Sequence, residues 1–98
     1  MENFQKSFIT SGKRLARCPL VHEKQIMDEI ALLHRSTGNY YTLNSTGAAI
    51  WKYCDQARSL EEILDFLSRE YQTEKTTLEE EIGFYLQELV REGIFEVQ

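Results

Sequence analysis

The chain has 98 residues and a formal net charge of −5, which suits one small domain with a single modest core. Its residues are 42% hydrophobic and 28% charged, and no apolar run approaches the ~20 residues that cross a bilayer, so a soluble fold is expected and a membrane-spanning helix is excluded. The acidic balance works against non-specific attraction to DNA or to anionic membranes, and two cysteines are too few for a disulfide scaffold.

Residues 1–12 are polar apart from Phe4, Phe8 and Ile9 and read as a flexible N-terminal arm, with the folded domain expected over 13–98. The opening MENFQKSFIT lacks the basic-then-apolar pattern of a secretory signal, which points to the cytoplasm. A basic group, Lys13, Arg14 and Arg17, precedes Pro19. Leu20-Val21-His22 is the first strand candidate, and Ile30 to His34 the second, with Asp28-Glu29 as the turn exit before it. Arg35 to Asn39 (RSTGN) has hairpin-turn chemistry, and Tyr40 to Leu43 forms the third strand. Connections this short favour an antiparallel meander.

From Asn44 the apolar period changes from two to about 3.6, the helical value. Asn44 is a good N-cap for a first helix through Ala48, Ala49, Ile50 and Trp51 that ends near Asp55-Gln56. Ser59-Leu60-Glu61-Glu62 is a capping box, and Leu60, Ile63, Leu64, Leu67 and Tyr71 form the apolar stripe of a second helix. Thr77-Leu78-Glu79-Glu80 reads as another capping box opening a third helix, whose stripe is Leu78, Ile82, Tyr85, Leu86 and Leu89. Gly93 ends it, and Ile94 to Val97 reads as a short closing strand or packed tail. The result is an α+β, winged helix-turn-helix-like fold: a three-stranded antiparallel sheet followed by three helices.

The ordered set G-x-Y-Y-x-L-N-x-T-G-x-x-I-W, S-L-E-E-I and L-x-x-L-x-x-x-G-I resembles the PqqD family over roughly Pro19 to Phe95. That family comprises RiPP recognition elements, small domains that bind the leader peptides of ribosomally made, modified peptides. The resemblance implies a non-catalytic adaptor with no cofactor. It implies capture of a precursor leader as an added strand against the third strand, beside the third helix. It further implies presentation of the leader to a maturation enzyme: a leader peptidase, a cyclase or a radical-SAM enzyme. A lasso-peptide pathway fits, as does a PQQ-like or sactipeptide one.

The residues support that geometry. The third strand falls at a sheet edge if the order follows the meander, and an extended peptide completes such a ladder while pockets for alternate side chains supply specificity. Tyr40 and Thr42 point to one face, Tyr41 and Leu43 to the other, with Leu43 toward the core. On the third helix Tyr85 and Glu81 flank the buried stripe, and Phe84 falls about 160° from its centre, facing water. Glu81 stands where the family more often has aspartate. The candidate peptide-binding residues are therefore Asn39, Tyr40, Tyr41, Thr42, Leu43, Glu81, Phe84, Tyr85 and Glu88.

Other chemistry is weakly signalled. Cys18 and His22 are separated by Pro19, and no C-x-x-C or H-x-x-x-H pair occurs, so no metal site is expected. Glu79, Glu80 and Glu81 open a helix, where carboxylates oppose the positive dipole end without any acid–base role. The competing reading is a winged-helix DNA-binding protein. Its recognition helix would carry Glu79, Glu80, Glu81, Glu88 and Glu92 against Arg91, a face that phosphates repel, so no nucleic acid is expected. No membrane partner is expected, and the oligomeric state stays open because free sheet edges pair between copies.

Overall fold

A computed structural model describes residues 13–98, and the expected N-terminal arm lies outside the described residues. The elements run β1 (Arg14–Arg17), β2 (Val21–Ile26), β3 (Glu29–His34), β4 (Tyr40–Leu43), α1 (Ser45–Tyr53), β5 (Arg58–Ser59), α2 (Leu60–Tyr71), α3 (Lys75–Arg91) and β6 (Phe95–Val97). The strands form two three-stranded antiparallel sheets, ordered β2-β3-β4 and β5-β1-β6.

The meander β2-β3-β4 is the expected sheet, with a first strand longer than Leu20-Val21-His22 suggested. That strand carries His22, Glu23, Lys24 and Gln25, all exposed, so no apolar alternation marks it. The second sheet has no counterpart among the strands expected before Ile94. Its central strand is the basic segment around Arg14 and Arg17, which pairs with the closing strand at the far end of the chain, Arg17 facing Phe95. Arg17 donates to the Trp51 carbonyl from Nε at 3.0 Å and lays its guanidinium 4.3 Å from the indole centre. Both arginines of the basic cluster are thus engaged in structure, Arg14 pairing with Glu62 at 3.1 Å.

The core joins both sheets to the helices through Leu15, Ile30, Leu32, Ile50, Trp51, Ile63, Leu67, Leu86, Ile94 and Phe95. Trp51 is buried, and its indole N–H donates to Glu23 at 2.8 Å. Cys54 is also buried, and loss of solvation pushes its thiol up to about 12. Tyr71, expected on the α2 stripe, is instead 45% exposed, because it sits in the last turn beyond the packed helix face.

Two helix starts follow the local signals. Asn44 Oδ1 accepts from the Gly47 N–H at 2.8 Å, and the Ser59 box is complete: Glu62 N–H donates to Ser59 Oγ at 3.1 Å and Ser59 N–H to Glu62 Oε1 at 2.9 Å. That backbone donor also holds the Glu62 carboxyl below the usual carboxylate range. The Thr77 box does not form. α3 begins three residues earlier, with Glu74 rather than Thr77 at the N-cap and no side-chain cap bond. The added turn is accompanied by tertiary contacts that no local pattern records: Lys75 reaches α2, with Nζ 2.6 Å from Asp65 and 3.3 Å from Glu61. Ser59→Ala is therefore expected to cost about 1 kcal/mol, and Thr77→Ala less than about 0.5 kcal/mol. Urea midpoints of the two variants check this; equal losses would mean that Thr77 caps α3 after all.

Gly93 ends α3 at φ +81°, and a Cβ there would lie 2.9 Å from His34 Nε2, so conformation and space both call for glycine.

Candidate functional site

Hydrogen-bond parity decides which backbone groups of the meander are vacant. His34 N–H donates to the Asn39 carbonyl at 3.0 Å, and Ile30 faces Leu43. In an antiparallel ladder alternate residues point both polar groups toward the same neighbour, so Asn39, Tyr41 and Leu43 turn inward to β3. Tyr40 and Thr42 then turn their N–H and C=O outward, where no strand of the described residues lies. By the same rule Glu23 and Gln25 turn outward from β2, the other edge. The two edges differ in what flanks them. β2 is solvent-exposed along nearly its whole length, whereas a helix runs beside β4.

That helix is α3, and between it and β4 lies a groove of about 570 Å3. Its lining is Asn39, Tyr40, Tyr41, Thr42, Leu43, Tyr85, Glu88, Leu89 and Glu92. Seven of the residues singled out in the sequence are thus gathered in one place: the whole Asn39-to-Leu43 segment, Tyr85 and Glu88. Glu81 and Phe84 are not among the lining residues. Both are exposed on α3, Phe84 to 51%, as its position on the helix required. Two groove residues, Leu89 and Glu92, escape the sequence reading, which gives Leu89 to the core alone. The signal that could have found them is the i, i+3, i+4, i+7 run Tyr85, Glu88, Leu89, Glu92, which sets all four on one stripe.

The groove has two distinct ends. At one, Tyr85 packs against Gly47 of α1: a Cβ on Gly47 would fall on the Tyr85 hydroxyl and 3.3 Å from Leu43 Cδ2. Gly47 therefore makes room for the ring, which explains why a glycine sits in the first turn of a helix. Burial raises the Tyr85 phenol above its ordinary value. At the other end Tyr41 donates its hydroxyl to Glu92 at 2.8 Å, tying β4 to α3, and this bond raises the Tyr41 phenol. Glu88 lies between, with Arg91 at 2.7 Å from one of its oxygens.

The site offers an open strand edge with an acidic, partly apolar groove beside it. Among the described residues no group of three or more His, Cys, Asp or Glu is placed to hold a metal ion. A second depression, of about 550 Å3, lies between α1 and α2 over Ala48, Ala49, Tyr53 and Phe66, but no strand edge borders it. For nucleic acid the electrostatics are wrong. Glu79, Glu80, Glu81, Glu88 and Glu92 crowd α3 and its C-cap, and Lys75, the base added by its earlier start, is spent on Asp65 and Glu61. Among the described residues no helix is long and apolar enough to cross a membrane.

Residues 29–94, from the start of β3 to the turn before β6, match the family of coenzyme PQQ synthesis protein D (PqqD). The chain belongs to the PqqD family. Two solved structures share its fold over most of both chains. One is TbiB1 in complex with the TbiA(beta) leader peptide, with a TM-score of 0.75 and 31% identity, covering 83% of this chain and 94% of that one. The other is lasso peptide synthetase B1 complexed with the leader peptide, with a TM-score of 0.72 and 27% identity, covering 84% and 96%. Among curated proteins no match was found.

Proposed function

We propose that this chain is a leader-binding adaptor of RiPP biosynthesis, which captures a precursor leader as a strand added to β4 and presents it to a maturation enzyme. The observation that carries the reading is the outer edge of Tyr40 and Thr42, unpaired among the described residues and flanked by a helix-walled groove, in a fold shared with two leader-peptide complexes. Main-chain pairing supplies affinity in such a mode, and alternate side chains supply specificity. A lasso-peptide pathway is favoured over a PQQ-like one because one of the two structural relatives is a lasso peptide synthetase B1. The partner enzyme is then a leader peptidase or cyclase rather than a radical-SAM enzyme. The adaptor acts by effective concentration: a held leader keeps its attached core peptide at high local molarity near the enzyme. It needs no cofactor for this.

Titration of 15N-labelled protein with the leader encoded beside it tests the reading. The amides of Tyr40 and Thr42 and those along Tyr85 to Glu92 are expected to shift together. Shifts confined to other surfaces, or salt-sensitive binding to duplex DNA in place of peptide binding, would refute it.

A further inference from the structure

Strand parity says more than where a peptide lies; it says which of its side chains are read. A strand added to β4 bonds through Tyr40 and Thr42, so its residues opposite those two share their solvent face. Its residues opposite Tyr41 and Leu43 turn to the other face, toward α3. These are two apart in the peptide whichever way it runs, and the groove meets them with different chemistry. Beside Leu43 stands the Tyr85 ring, with Leu89 one turn along α3. Beside Tyr41 stand the Glu92 carboxylate, 2.8 Å from its hydroxyl, and Glu88 one turn before it. Among the described residues the lining contains these two carboxylates and no lysine, arginine or histidine. Arg91 does take one Glu88 oxygen at 2.7 Å, but both side chains are about half exposed, and an i,i+3 pair of this kind yields readily to a better-placed cation.

Resting on the leader-binding reading above, we propose that the groove selects peptides with an apolar side chain opposite Leu43 and, two residues away, a lysine or arginine opposite Tyr41. The apolar group is desolvated against Tyr85 and Leu89. The cation is held by Glu88 and Glu92, to which it offers charge-assisted hydrogen bonds. The residue between them points to water beside Thr42 and is unconstrained.

A positional-scanning library of short acetylated, amidated peptides, captured on the immobilised protein, tests this. Wild type is expected to enrich an apolar residue and, two positions from it, Lys or Arg by roughly fivefold over Gln. Glu88→Lys is expected to move that second preference to Asp or Glu and leave the apolar one unchanged; Glu88→Gln is expected to flatten it. Circular dichroism confirms that each variant is folded. Enrichment of cations equally at every position would report only the acidic net charge and overturns the proposal, as does a preference that Glu88→Lys leaves unmoved. In both cases capture of leaders still stands. Failure of wild type to capture any peptide, with or without Thr42→Pro as reference, overturns the leader-binding reading and this proposal together.

Discussion

Replacing Thr42 with proline is expected to weaken leader binding by about 1–3 kcal/mol, roughly 5- to 150-fold, while leaving folding stability nearly unchanged. The Thr42 N–H points outward, so its loss breaks no bond to β3, and an edge position tolerates proline. A bound peptide, by contrast, would bury a carbonyl with no donor opposite it, and an unsatisfied buried acceptor costs more than a hydrogen bond gains. Tyr41→Pro supplies the control by parity. Tyr41 faces Leu32 as a bonded pair of the inner ladder, so proline there removes a ladder bond and is expected to cost about 3 kcal/mol or more in stability. Calorimetric titration with the leader and thermal melts of both variants separate the two effects. If Thr42→Pro binds as wild type does while remaining folded, the peptide does not pair with β4.

Gly47→Ala is expected to destabilise the protein although it improves helix propensity. In an open helix this change would gain about 0.5–1 kcal/mol. Here the new methyl would occupy the site of the Tyr85 hydroxyl, and the half-buried ring must swing aside; such overpacking costs about 1–3 kcal/mol. The packing penalty outweighs the gain in propensity, so a melting point lower by several degrees is expected. Tyr85→Phe should relieve it, since the hydroxyl is the atom in the way and the next ring atom is 3.2 Å off. The double variant is therefore expected to be more stable than the sum of its parts by about 1 kcal/mol, a coupling that independent sites would not show. Because the displaced ring leaves the wall of the groove, Gly47→Ala alone should also weaken leader binding. A melting point for Gly47→Ala at or above wild type would mean that Tyr85 does not pack on α1 as described.

Much of the site is legible from residues near one another in sequence. The β4 segment, its inward and outward faces, the Asn44 cap, the Ser59 box and the exposure of Phe84 all follow from period and capping chemistry that act over a few residues. The misreadings have a common cause. Thr77 carries the right local pattern for a cap, yet α3 starts at Lys75, whose side chain meets two carboxylates on α2 that lie outside any local window. The strands around Arg14 and Arg58 are short and arginine-bearing, and they form only by pairing with one another and, for β1, with β6 at the other end of the chain. In sequence Glu92 is one more surface acid; its place in the groove comes from a hydrogen bond to Tyr41, 51 residues away.

Local alternation, capping and charge were enough to place the three helices, the strands β3 and β4 with the faces they bury, and the acidic character of the third helix. Which margin of the meander is left open, and what wall stands beside it, came only from the packed chain. Pairing and docking join segments tens of residues apart, and no short-range pattern records them. The glycine–tyrosine contact between α1 and α3 and the tyrosine–glutamate bond between β4 and α3 place that wall, and with it the groove.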